Sequence, residues 1–195
     1  GSPEQGILSA ACAQIGIYFD LPMGTGAGMS DSKLPDFQGG AEHASNVAVS
    51  ALAGANIIYE SAGMYASLLS ACPESILLDN DSLGACMRMV KGLPVNEKTL
   101  GFDVIKDVCL NSKGHYLGSD QTLDVMQSEY IYPDFYNRLS PGEWLDAGKP
   151  EALKLAVDKT KEILSNHFPK HISDEIDDEI RKTFPIHLKK SDIGR

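Results

Sequence analysis

The separation of its two β-rich segments constrains this chain's fold more than any other feature. Asn56-Ile57-Ile58-Tyr59 is short and apolar, as a strand buried in a parallel sheet is. Asp20-Leu21-Pro22-Met23 enters a second extended run, which ends in the glycine-rich Gly24-Thr25-Gly26-Ala27-Gly28. Between them Pro35 opens a helical pattern with Phe37, Ala41, Ala44, Ala48 and Leu52 on one face, and Gly54 stops it. A helix between two strands is the connection of a parallel pair, and it crosses over right-handed. Leu21–Met23 and Asn56–Tyr59 are therefore predicted to be neighbouring parallel strands, with Pro35–Ala53 as their crossover helix.

Another helix precedes the first strand. Ser2 is its N-cap, Pro3 its first residue, Gln5 lies three residues after the cap, and Ile7, Leu8, Ala11, Cys12 and Ile15 recur at helical spacing. Helix–strand–loop–helix–strand–loop is the rhythm of a (β/α) barrel or a doubly wound sheet. Downstream the strand signals run out. Asp79-Asn80-Asp81 caps a helix ending near Lys91-Gly92, and Asn96 caps another carrying Leu100, Val104, Ile105 and Val108. Ser140-Pro141-Gly142-Glu143 is a capping box ahead of Trp144, Pro150 to Asn166 is amphipathic, and Ser173 opens a final acidic helix. Two strands cannot close an eight-stranded barrel, which takes about 250 residues. The expected class is α/β, the C-terminal part of a TIM (β/α)8 barrel with appended C-terminal helices. Residues 1–70 read as its last βα units and residues 71–195 as a helical region packed on the barrel. The start at Gly1-Ser2-Pro3, without an initiator Met, reads as a piece of a longer polypeptide.

Charge narrows the function classes. Lys and Arg number 17 against 27 Asp and Glu, a net charge of −10 that repels phosphate backbones, and the nearest thing to a basic patch is Lys189-Lys190. Nucleic acid is not an expected partner. No apolar run approaches the roughly 20 residues that span a bilayer. Ile7 to Phe19 is interrupted by Gln14 and Gly16 and follows no basic segment, so neither a membrane anchor nor a signal peptide is expected. Cys12, Cys72, Cys86 and Cys109 are scattered, which points to reduced thiols in a cytoplasmic protein and to no structural zinc.

The candidate chemistry lies after the strands. Gly24-x-Gly26-x-Gly28 lacks phosphate-loop spacing and reads as a turn at a strand end. Ser30-Asp31-Ser32-Lys33-Leu34-Pro35-Asp36-Phe37-Gln38 sits where a strand hands over to a helix, the barrel edge that carries active sites. Asp31, Lys33, Asp36 and Gln38 either line a polar pocket there or cap the helix, with Asp36 complementing the helix dipole. Glu60 directly follows an apolar strand and projects at its mouth, as a ligand for a cation or as an ion-pair partner of Lys33. Glu42 and His43 lie on the second helix, Glu42 reaching inward or resting on a solvated face. His167 and His171 are four apart, but Pro169 lies between them and no H-E-x-x-H is present, so no metal is expected. Asp174-Glu175 and Asp177-Asp178-Glu179 read as a solvated helix face, and without G-x-S-x-G a hydrolase triad has no support.

Several of these segments, in order, resemble the trimethylamine methyltransferase (MttB) family. They are Gly1-Ser2-Pro3-Glu4, Leu21-Pro22, Gly28-Met29 through Phe37-Gln38, and Leu52-Ala53-Gly54-Ala55-Asn56. Leu78-Asp79-Asn80-Asp81, Gly92-Leu93-Pro94-Val95-Asn96-Glu97 and Trp144-Leu145-Asp146-Ala147-Gly148 extend the resemblance over almost the whole chain. It implies the C-terminal part of a TIM-barrel enzyme that moves a methyl group from a small methylated amine to the cobalt of a corrinoid. The cobalamin is carried by a cognate corrinoid protein, so this chain is expected to bind no cofactor directly; a homo-oligomer is also expected. Trimethylamine members carry pyrrolysine just before the Ser-Asp-x-Lys motif, and here Met29 holds that place. That resembles the non-pyrrolysine branch, which demethylates quaternary amines such as betaines. The implied site is Met29 at the pyrrolysine-equivalent position, with Asp31, Lys33, Asp36, Gln38, Glu42, Tyr59 and Glu60 toward the substrate. The rival readings are a pyrrolysine-type trimethylamine enzyme and a non-catalytic barrel fragment that docks a partner.

Overall fold

Small residues set the first packing layer. In a computed structural model, which describes residues 1–111, 114–168 and 171–193, helix α1 (Pro3–Tyr18) starts after Ser2 with proline in its first turn, as expected. Its buried positions are Gly6, Ser9, Ala13 and Gly16, whereas Ile7, Leu8 and Ile15 of the predicted face are exposed. The stripe lets the helix lie close to its neighbours: a Cβ on Gly16 would stand 2.8 Å from Met23 Cβ.

Strand β1 (Gly24–Gly26) pairs in parallel with β2 (Ile57–Tyr59), Thr25 opposite Ile58. The parallel pairing is as predicted, but the first strand begins three residues after Leu21, and the glycine-rich segment is itself the strand rather than a turn beyond it. Pro22 explains the shift, because it has no N–H to give a ladder. Met23 forms the entrance: its carbonyl accepts from the Asn56 N–H and its N–H donates to Asn56 Oδ1 at 2.8 Å.

Helix α2 (Phe37–Leu52) connects the two strands and packs on α1. It buries Gly39, His43, Asn46, Val47 and Ser50. The predicted face is not the buried one; Phe37 is 92% exposed and Leu52 is exposed too. Polar residues occupy the inner face because each finds a partner: Ser50 Oγ donates to the Asn46 carbonyl, and His43 faces Asp79.

After β2 a hairpin unseen in the sequence, β3 (Met64–Tyr65) and β4 (Ser70–Ala71), pairs antiparallel, and Met29 bridges Met64 in parallel. Helix α3 (Pro73–Lys91) starts at Pro73, not at Asp79, which lies buried inside it with Asp81. Proline at the first position is the start signal. Asp79 and Asp81 are instead tertiary acceptors, Asp81 taking the N–H groups of Asp134, Phe135 and Tyr136 at 2.8–3.0 Å. The helix ends at Lys91 with Gly92 at φ +65°, as predicted.

Short helices follow. The Asn96 capping box opens α4 (Glu97–Leu100), left-handed Gly101 separates it from α5 (Phe102–Asn111), and α6 (Asp120–Ser128) comes next. The Ser140–Glu143 capping box opens α7 (Pro141–Asp146), ahead of α8 (Ala152–Asn166). The chain divides into two compact units, Gly1–Ala156 and Val157–Arg195. In the second, Ser173 caps α9 (Asp174–Thr183), whose acidic face is only partly solvated: Asp177 is buried and pairs with Arg181 at 3.0 Å. The class is α/β, with small open sheets. Among the described residues no helix is long and apolar enough to cross a membrane.

Candidate functional site

Ligands of open α/β sheets bind beyond the carboxyl ends of the strands, and here β1 and β2 end at Gly26 and Tyr59. Gly26 lies under a gathering of three predicted residues. A Cβ placed on it would stand 3.2 Å from Glu60 Oε2, 3.2 Å from Tyr59 Cε2 and 3.7 Å from Met29 Cε. A carboxylate, an aromatic edge and a thioether methyl thus converge where a side chain is missing. Tyr59 and Glu60 are exposed and Met29 is buried. Glu60 sits at φ +59°, a left-handed conformation that costs a non-glycine residue of order 1–2 kcal/mol. Tyr65 is buried elsewhere, its hydroxyl 2.7 Å from Ser75 Oγ.

A second cluster braces the loop after Met29. Glu42 reaches inward: its Oε2 accepts from the Ser30 hydroxyl at 2.7 Å and the Asp31 N–H at 2.8 Å, and its Oε1 accepts from the Gln38 amide at 2.9 Å. Burial pushes the Glu42 carboxyl up, but the Ser30, Gln38 and Asp31 donors outweigh it and hold its pKa below the ordinary value. The Ser67 hydroxyl, 2.6 Å from Asp31 Oδ1, does most to lower Asp31. Asp36 is the N-cap of α2, accepting from the Gly39 N–H at 3.0 Å and from the Ser32 hydroxyl at 2.9 Å, and its pKa is lowered chiefly by Gly39. Lys33 Nζ donates to the Asp31 carbonyl at 2.7 Å, so the alternative of a Lys33–Glu60 ion pair is not what forms. Asp31, Asp36, Glu42 and Gln38 spend their polar atoms on shaping the loop. Met29, Tyr59 and Glu60 are left facing the strand ends.

Sequence reasoning missed a third group, directly behind the loop. His43 is 1% exposed, its Nδ1 2.9 Å from both Asp79 oxygens and its Nε2 3.0 Å from the Met64 carbonyl. Asp79 Oδ2 also accepts from the Gly63 N–H at 2.8 Å and the Ser75 hydroxyl at 3.2 Å. Asp79 lies inside α3, 36 residues from His43, and no local signal in the sequence pairs the two.

Comparison with known proteins bears on the whole chain. A model of the trimethylamine methyltransferase (MTTB) family matches residues 1–194. Trimethylamine methyltransferase MttB1 of Methanosarcina acetivorans is 34% identical over 179 residues, 90% of this chain and 35% of that protein. Trimethylamine methyltransferase MttB of Desulfitobacterium hafniense is 32% identical over 176 residues, covering 90% and 35% respectively. Glycine betaine methyltransferase of Desulfitobacterium hafniense is 29% identical over 177 residues, 91% of this chain and 36% of that protein. The chain therefore spans about a third of the length of these relatives. With the family's pattern running from its first residue to its next-to-last, the chain belongs to the trimethylamine methyltransferase (MTTB) family.

Proposed function

We propose that this chain supplies the strand-end wall of an enzyme that transfers a methyl group from a quaternary amine to the corrinoid of a cognate partner protein. The observation that carries the reading is the convergence of Glu60, Tyr59 and Met29 over Gly26. A quaternary ammonium has no N–H to donate, so a site holds it by aromatic surface and an anionic field. Tyr59 and Glu60 offer both, and the Met29 thioether adds soft, polarizable contact.

The chemistry asks little else of the protein. The N–CH3 bond breaks with its electron pair returning to nitrogen, which leaves as a neutral tertiary amine, while the methyl group passes to the Co(I) of the acceptor. No proton moves, so the residues' tasks are to orient the donor in line and to exclude water. Met29 at the place that pyrrolysine takes in the trimethylamine branch agrees with this, as does the relative named for glycine betaine. Lys33 is engaged with the Asp31 carbonyl rather than Glu60, so a quaternary ammonium without a carboxylate suits this wall better than a betaine. We read β1, β2 and their helices as the last βα units of a (β/α)8 barrel, residues 1–70, with residues 71–195 as an appended helical region. The exposed apolar face of α1 and the open sheet fit that reading.

A second reading, trimethylamine as donor, is favoured by the higher identity of relatives bearing that name, 34% against 29%. Single-turnover methyl transfer by the full-length protein decides between the two, with the Co(I) corrinoid partner and a panel of trimethylamine, choline-type cations and betaines. Transfer from quaternary amines and not from trimethylamine is expected. Transfer from trimethylamine alone installs the second reading, and no transfer from any member sinks both.

A further inference from the structure

Resting on the reading of Met29 as part of the donor site, we propose that His43 is a standing imidazolium that positions residues 29–31 through the Met64 carbonyl. It is a positioning residue, one helix removed from the substrate.

The geometry leaves the ring little choice. Nδ1 faces only carboxylate oxygens, and Nε2 faces only a carbonyl oxygen. All three are acceptors. A neutral imidazole carries one N–H, and in this cage it would turn a bare lone pair against an acceptor in a fully buried place. Two protons satisfy both sides. The carboxylate is braced in turn: the Tyr65 hydroxyl contacts Ser75 Oγ, Ser75 donates to Asp79 Oδ2, and the Gly63 N–H donates to the same oxygen. The Tyr65 ring closes the circuit, its centroid 4.8 Å from that of His43. The groups that face the imidazole are Asp79 and Cys86 from α3, Tyr65 from the hairpin and Glu42 from its own helix. Burial works against the charge, yet Asp79, the Met64 carbonyl and Glu42 together raise the His43 pKa.

The clamp reaches the site through the hairpin. The Met64 carbonyl that accepts from His43 also accepts from the Ser30 N–H at 2.9 Å, one residue beyond Met29. Farther out, Ala66 N–H donates to the Ser32 carbonyl and Ser67 N–H to the Ser30 carbonyl, at 2.9 and 3.2 Å. The tip that makes these contacts holds Ala66, Ser67 and Leu68 at φ +50°, +55° and +71°. Three successive left-handed residues without glycine are unfavourable and persist only when neighbours over-determine them. His43 fixes the root of this hairpin, and the hairpin fixes the loop that carries Met29.

The test uses full-length protein labelled with 15N-histidine. Both His43 ring nitrogens are expected to stay in the imidazolium range at about pH 8, where an ordinary imidazole, with pKa near 6.5, is neutral. In His43→Gln, kcat for methyl transfer should fall on the order of 10–100-fold, the cost of an ångström-scale misplacement. KM for the amine should stay within about threefold, because Tyr59 and Glu60 still meet it. Hydrogen exchange at the Ser30 amide should accelerate. Asp79→Asn should bring His43 into the titrating range, so that kcat falls as pH rises. A His43 ring that is neutral at about pH 8 overturns the proposal, and so do folded His43→Gln and Asp79→Asn proteins with wild-type kcat and Ser30 protection. If no methylated amine is a donor, the proposed function fails, while the ring signals and Ser30 exchange still decide the clamp.

Discussion

Gly26 and Gly28 lie two residues apart, yet their replacement by alanine should fail in opposite ways. At Gly28 the backbone is left-handed, φ +91°, and a Cβ would meet Val47 Cγ2 at 2.6 Å and the Ser61 Cα and carbonyl oxygen at 2.9 Å. The Ser61 backbone cannot step aside. Overpacking of this kind, added to the left-handed penalty, is expected to cost about 2–4 kcal/mol. At Gly26 the same Cβ would meet only the ends of side chains, Glu60 and Tyr59 at 3.2 Å and Met29 at 3.7 Å. These give way by a few tenths of an ångström, and alanine recovers about 0.5–1 kcal/mol of the backbone entropy that glycine loses in a strand. Gly26→Ala should therefore stay within about 1 kcal/mol of wild-type stability, by the same overpacking scale.

Its effect on function should be large. The added methyl group pushes aside the Glu60 and Tyr59 side chains that are assigned to the ammonium. One carbon gained or lost in a fitted pocket is worth about 1–3 kcal/mol, or about 10–200-fold in kcat/KM. Thermal melting and single-turnover methyl transfer on full-length Gly26→Ala and Gly28→Ala read both halves. The expected pattern is a normal Tm with depressed kcat/KM for Gly26→Ala, and a Tm lowered by several degrees for Gly28→Ala. A folded Gly26→Ala enzyme with wild-type kcat/KM would refute the placement of the donor. A Gly26→Ala protein that melts early would show that the cradle is ordinary packing.

Glu60→Gln should raise KM for a quaternary amine about two- to fivefold with kcat unchanged, the scale of an exposed ion pair; initial rates across substrate concentration measure it. Asp81→Ala strands three backbone N–H groups of residues 134–136, and should cost about 1–3 kcal/mol, read by melting and by amide exchange at those residues. The Glu42 pKa is held below the ordinary glutamate value by its hydrogen-bond donors, so its contribution to stability is present above that value and is lost as pH falls through the lower, folded one. Exchange at the Asp31 amide should accelerate only on that acid side, and Glu42→Gln should remove the dependence.

What could be read from the sequence was local chemistry. The Asn96, Ser140 and Ser173 caps act over residues three apart, and all three appear where they were expected, although the helix that Asn96 opens stops at Leu100 before Gly101 instead of running on to Val108. The parallel pairing followed from one helix lying between two strands. Errors arose where one signal outranked another: Pro22 displaced the first strand, and Pro73 took the start of α3 from Asp79. The strands at Met64 and Ser70 are two residues long, too short for alternation to register.

The site divides along the same line. The place of Glu60 at a strand end was legible because it directly follows an apolar strand whose last residue is Tyr59, whereas Met29 was named only through the family resemblance. His43 and Asp79 are 36 residues apart, and nothing local marks them as a pair. Hydropathy even argued against them, by assigning the apolar sides of α1 and α2 inward. The structure buries the other sides: Gly6, Ser9, Ala13 and Gly16 of one helix, and Gly39, His43, Asn46, Val47 and Ser50 of the next. Small residues permit the close approach, and the polar ones tolerate burial because each is answered, Ser9 and Gln5 by the Gly26 carbonyl and His43 by Asp79. The side chains behind the strand ends are therefore chosen for hydrogen bonding that fixes backbone position. A helix face selected in that way has no apolar periodicity to detect, and its polar residues point to the loop they hold.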